Sequence, residues 1–193
     1  MKRGRRERRA SALLVVGLSL LCISARALKP SDHFTLQDLE TAPPMTPGQF
    51  AELFERFFYE FSPRVLAPEV FLFQRAGDCD DYAILCAHIL GQKGSETRLI
   101  HVQLVGENVG HAVCYVTDKL VYLDYNNRNS ARKLVKSRPT ARDVATSVAA
   151  SFERNWTSAT EFTYSYAENR KRIRWVIVMT DPPERDADRR SAQ

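Results

Sequence analysis

The chain is expected to fold as an α+β domain in which a helix packs on an antiparallel β-sheet. Three observations carry this expectation. Helical apolar spacing dominates the first half, strand-like runs follow it in sequence, and a two-residue turn signal separates two of those runs. Helices first and sequential strands afterwards argue against alternating βαβ units.

The first 27 residues read as an export signal. Lys2, Arg3, Arg5, Arg6, Arg8 and Arg9 form a basic start, Ala12 to Ile23 an apolar stretch, and Ala25-Arg26-Ala27 a small-x-small cleavage pattern. The apolar stretch of about 16 residues is short for a membrane span of roughly 20. The mature form is therefore expected to have no membrane span and to be periplasmic or secreted. Removing the leader also changes the charge argument. The chain has 28 basic and 23 acidic residues, of which seven and one lie in the leader, so the remainder carries a net charge of −1. No basic excess is left to attract nucleic acid. The remaining 166 residues make one domain with room for a core.

Residues 28–45 contain Pro30, Pro43 and Pro44 and read as a polar arm or pro-segment. The domain is expected over 46–180. Thr46 is a helix N-cap, Pro47 suits the first helical position, and Gln49 completes a capping box. Phe50, Leu53, Phe54, Phe57, Phe58 and Phe61 then recur at helical spacing and are expected to pack in the core. Pro63 and Pro68 break that pattern. A second helix begins at Asp78 or Cys79, with Asp78 as cap and Asp81 three residues on. It buries Cys79, Tyr82, Ala83, Cys86, Ile89 and Leu90 and ends around Gly91 and Gly94. Strand-like runs follow over 98–105, 111–117 and 120–125, with Asp118-Lys119 as the tight turn between the last two. Another helix is expected over 140–153, capped by Thr140 and striped by Val144, Val148 and Phe152. A further strand is expected over 174–179, and 181–193 read as a charged, loose tail.

The chemistry centres on Cys79. A helix N-terminus carries partial positive charge and unpaired N–H groups, which favour a thiolate and can bind an oxyanion. Asp78, Asp80 and Asp81 oppose a second anion, so a compensating cation is needed. Histidine is the obvious source. His88 is nine residues along the same helix and faces away, and His33 lies in the arm. If Asp118-Lys119 is a two-residue turn, Thr117 pairs with Leu120, Val113 with Asp124, and His111 with Asn126. His111 and Asp124 then share a sheet face as diagonal neighbours, with Asn126 an alternative orienter. A cysteine nucleophile, a histidine base and an acidic orienter are the parts of nucleophilic acyl transfer. The three cysteines outside the leader show no zinc-binding spacing. Cys86 sits on the helix face that meets the sheet. Cys114, three residues after His111, is assigned to the opposite sheet face, so both are expected to be buried free thiols.

Gly77-Asp78-Cys79-Asp80-Asp81-Tyr82-Ala83, Gly110-His111-Ala112-Val113 and Leu123-Asp124 together resemble the transglutaminase-like superfamily, a branch of the papain-like fold. The resemblance spans roughly residues 48–125 and is strongest to small exported bacterial cysteine proteinases. It implies Cys79 as nucleophile, His111 as base and acid, and Asp124 as orienter. It further implies cleavage of peptide or isopeptide amides through a thioester. The alternatives are glutamine acyl transfer to amines and a non-catalytic binding domain of the same fold. Protein or peptide substrates are the implied partners, cell-envelope proteins among them. Papain-like enzymes use a glutamine shortly before the nucleophile for the oxyanion, and Gln74 stands near that position. In some relatives the acidic residues flanking the cysteine bind calcium, which points to Asp78 and Asp80, with Asp81 nearby. No other cofactor is expected.

Overall fold

The computed structural model describes residues 28–29, 33–108, 110–128, 130 and 133–179. The expected leader and the tail over 181–193 lie outside the described residues. The segment read as an arm contains a helix, α1 (Leu36–Thr41), closed by a capping box between Thr35 and Asp38. Phe34 and Leu39 bury against the main core, so this segment is part of the packed domain.

α2 (Pro47–Leu53) starts at the expected Thr46 cap with its Gln49 capping box. It stops at Leu53, short of the aromatic run. Phe50, Phe54 and Phe57 do enter the core, whereas Phe58 and Phe61 are exposed. The physical reason is a change of partner. Beyond Phe57 the chain extends as β1 (Phe58–Tyr59) and pairs in parallel with β2 (Ala76–Gly77). Between them lies a short helix, α3 (Pro68–Gln74), which starts at Pro68.

α4 (Cys79–Gln92) follows β2 directly. Asp78 is its N-cap and Asp81 completes the capping box, as the sequence predicts. Gly91 lies within it, and Gly94 at φ +90° supplies the left-handed turn just beyond its end.

The main sheet comprises β3 (Thr97–Leu104), β4 (His111–Val116), β5 (Val121–Leu123), β6 (Leu134–Lys136), β7 (Trp156–Ser165) and β8 (Arg170–Val178). Its order is β6-β5-β4-β3-β7-β8, with every neighbouring pair antiparallel. α5 (Ala141–Ser151) is capped by Thr140, as expected. Alternation along the strands assigns two layers. Leu99, Cys114 and Leu123 join α4 in one core, whereas Ile100, Val113 and Tyr122 join Val144 and Val148 of α5 in the other. The sheet is thus covered by α4 on one face and α5 on the opposite face. No helix among the described residues is long and apolar enough to cross a membrane.

The fold corrects one face assignment. Cys86 and Cys114 are buried and free, as expected. Yet Cys114 faces α4, in the same core as Cys86. It is His111 that lies on the α5 side by alternation, and its ring packs edge-on against Phe152 at 4.9 Å.

Candidate active site

Cys79 occupies the first turn of α4, where the helix N–H groups lack intrahelical acceptors. Its thiol is buried and accepts a hydrogen bond from the Ala112 N–H at 3.4 Å. That donor comes from β4, one residue after His111. The helix start and the strand start therefore meet at the sulfur.

His111 Nε2 donates to Asp124 Oδ1 at 2.8 Å, and both side chains are buried. The register behind this contact is the expected one, with Val116 opposite Val121 and Cys114 opposite Leu123. Asp124 is held in turn. Its Oδ1 also accepts the Asn126 backbone N–H at 2.9 Å, and its Oδ2 accepts Asn127 Nδ2 at 3.4 Å. Burial pulls the His111 pKa down, but the Asp124 charge and hydrogen bond, followed by the contact with Cys79, raise it to about 10. The ring is an imidazolium through neutral pH, with Nε2 committed to Asp124 and Nδ1 left for the thiol. This is the cation that the acidic turn requires.

The three aspartates of that turn divide their work. Asp78 accepts Asp80 N at 3.0 Å and Ser62 N at 3.1 Å. Asp81 accepts Asp78 N at 3.0 Å and Leu66 N at 2.7 Å. Burial raises the pKa of Asp78, and raises that of Asp81 to about 6. Asp80 Oδ1 is buried without a protein hydrogen-bond partner. Among the described residues no three His, Cys, Asp or Glu side chains are grouped to hold a metal ion.

Two expected residues stand apart from this centre. Asn126 meets Asp124 through its backbone N–H, and its side chain is not the partner of His111. Gln74, at the end of α3, is exposed and lines an apolar groove with His33, Phe34 and Phe73. Cys79 is not part of that groove.

Sequence inspection gives no site role to three further residues: it sets His101 aside in favour of His111 and reads Phe152 as part of a helix stripe. Phe152 backs the His111 ring. His101 on β3 lies against Gly110, where an added Cβ would fall 2.1 Å from the ring. Burial first, then the Lys171 charge, lowers the His101 pKa to about 4, so this second imidazole is neutral. Lys171 on β8 lies over the Phe162 ring at 3.9 Å, and its charge faces Asp80 and Cys79. Strand alternation could have placed His101, but nothing local marks Lys171.

Residues 36–129 match the family model of a transglutaminase-like domain. Residues 36–129 therefore form a transglutaminase-like domain. The matched segment of this transglutaminase-like chain contains Cys79, His111 and Asp124 and stops before α5, β7 and β8. Among solved structures, it is similar to calcium-bound LapG of Legionella pneumophila, at 19% identity and a TM-score of 0.43, over 64% of this chain and 68% of LapG. An EGTA-treated form of the same LapG matches at 17% identity and the same TM-score, over 72% and 76%. No curated relative matches.

Proposed function

We propose that this protein is an exported cysteine hydrolase that cleaves peptide or isopeptide amides through a Cys79–His111–Asp124 triad. The observation that carries the proposal is one junction: a thiol at the start of α4, held by the Ala112 N–H, beside an imidazolium fixed by Asp124. The attacking species is the Cys79 thiolate, beside the His111 imidazolium. The Cys79 sulfur attacks the amide carbon, and the carbonyl electrons move onto oxygen, where the Cys79 N–H donates to the oxyanion. As that oxyanion collapses, the C–N bond breaks and His111 Nδ1–H passes its proton to the leaving amine. The neutral ring then takes a proton from water, and the hydroxide attacks the thioester. Collapse releases the acid and returns the thiolate beside a protonated His111. Asp124 stays ionised and fixes the ring throughout. An amine in place of water in the second half would give acyl transfer through the same thioester.

Calcium is the proposed ligand of the acidic turn, at Asp78, Asp80 and Asp81. The support is one oxygen: Asp80 Oδ1 is buried without a partner, although the three carboxylates are not gathered into a ligand set. The other two carboxylates already accept backbone N–H groups, so the ion would add to a turn that is built without it. Bound there, it would supply positive charge beside the thiolate. A calcium-dependent rise in melting temperature that is lost in Asp80→Asn supports this site, and an unchanged melt ends it.

The catalytic proposal is tested by iodoacetamide labelling mapped by mass spectrometry. Cys79 is expected to react at least about tenfold faster than Cys86 and Cys114 near neutral pH. That preference should collapse in His111→Ala. Equal, slow labelling of all three thiols would leave a binding domain of the same fold. Product analysis with and without added amine then separates transfer from hydrolysis.

A further inference from the structure

We propose that Tyr59 and Phe61 form a substrate subsite beside Cys79 that takes an apolar side chain of the polypeptide being cleaved. The inference deepens the hydrolase proposal and rests on it.

The first observation is exposure without looseness. Phe58, Tyr59 and Phe61 are 72%, 52% and 55% exposed. Leaving such side chains in water forgoes burial that would otherwise stabilise the fold. The segment that carries them is nevertheless tied down along its length. Phe58 N donates to Arg75 O at 2.8 Å and Glu60 N to Gly77 O at 2.8 Å. Ser62 N and Leu66 N donate to the Asp78 and Asp81 carboxylates. Arg128 Nε and Tyr125 Oη donate to the Phe57 and Phe58 carbonyls, each at 2.8 Å. Exposed aromatics on a braced segment are prepared for contact with something outside the fold.

The second observation is where the braces end. Gly77, Asp78 and Asp81 flank the nucleophile, and Tyr125 follows Asp124 directly. The segment is therefore fixed to both halves of the triad. Tyr59 pairs with Gly77, two residues before Cys79, and its ring lies 6.3 Å from that of Tyr125. Burial, then the charges of Cys79, Asp78 and Asp80, raise its phenol pKa. Phe61 is the next exposed aromatic, between Glu60 and Ser62, whose N–H groups are bound to Gly77 and Asp78.

Continuity with the nucleophile selects the occupant. Tyr59, paired with Gly77 two residues before Cys79, is the exposed aromatic placed to meet a side chain next to the scissile amide. A separate docking partner or a second copy would have no need of braces centred on that sulfur. Aromatic walls favour Phe, Tyr, Leu or Met over Ser or Asp.

The test uses peptidyl chloromethyl ketones, which a reactive thiolate alkylates with loss of chloride. Two pools carry Phe or Ser at each side-chain position. Their rates on Cys79 are divided by the iodoacetamide rate on the same protein. The wild type is expected to prefer the Phe pool by at least about tenfold, the effect of one filled apolar pocket. Tyr59→Ala with Phe61→Ser should bring the ratio near one, with iodoacetamide labelling and melting temperature unchanged. Tyr59→Phe should keep the preference, because the ring and not the phenol is used. No preference in the wild type, or a preference that survives the double variant, overturns the subsite. A double variant in which iodoacetamide labelling falls together with the preference also overturns it, since the braces then serve only the nucleophile. Slow iodoacetamide labelling of the wild type would instead overturn the hydrolase proposal on which the subsite rests.

Discussion

His111 is buried, and it is charged because Asp124 is buried with it. Its raised pKa sets the sign of a pH effect. A group that holds its proton more tightly in the folded state contributes stability in full below its unfolded pKa of 6.5. That contribution is lost as the pH climbs through about 10. Melting temperature is therefore expected to decline from pH 6.5 to 10 in the wild type. Asp124→Asn should flatten this decline and slow Cys79 alkylation, because the ring loses both its charge partner and its orientation. A decline of equal slope in Asp124→Asn would refute the assignment. The His111–Asp124 pair was legible because a turn at Asp118-Lys119 fixes which residues share a face. Gln74 and Asn126 were misplaced for the opposite reason. An offset in sequence does not say which way a helix end or a turn points its side chain.

At the scale of elements, the start of α4 is at once a cap and an anchor for the neighbouring segment. The Asp81 carboxylate closes the capping box onto Asp78 N and also holds Leu66 N. Asp81→Ala leaves both donors without their acceptor, and an expected loss of about 2–3 kcal/mol follows. Chemical denaturation measures it. A change below about 0.5 kcal/mol would show that water replaces the carboxylate. Gly77 is fixed by the same packing: a Cβ there would meet Asp81 Oδ2 and Phe71 Cδ2, each at 2.6 Å. Gly77→Ala should cost about 1–3 kcal/mol from overpacking and slow the labelling of Cys79. Capping chemistry made the starts of α2, α4 and α5 legible. The end of α2 was not, because the helical spacing of phenylalanines continues through 58 and 61 while the backbone leaves to pair with β2. β7 was missed for a related reason. An irregularity opposite Gln103–Leu104 puts Trp156 and Ala159, three residues apart, in the same core, whereas Phe162 faces the other core, so no simple two-residue alternation marks the strand.

For the whole molecule, the sheet has one well-covered centre and one bare margin. α4 and α5 cover opposite faces over β3, β4 and β5, whereas β8 is an edge strand exposed over almost its entire length. Ile173, Val176 and Val178 are exposed there, beside backbone groups without a ladder partner on the outer side among the described residues. Such an edge templates the addition of another strand. Charge opposes this at one end only: Arg170, Lys171, Arg172 and Arg174 line the first half, and the second half, from Trp175 to Val178, carries no charge. Two copies pairing antiparallel along β8 would set the basic half of each against the apolar half of the other and avoid most like-charge contact. Sedimentation at rising concentration is therefore expected to show weak self-association. Val176→Lys should suppress it by placing charge in the apolar half, and at an exposed site it should change stability by no more than about 0.5 kcal/mol. Because Val176 lies in the half of β8 away from Lys171, iodoacetamide labelling of Cys79 should be unaltered. A monomeric wild type at every concentration, or association that survives Val176→Lys, would show that this edge is protected in another way.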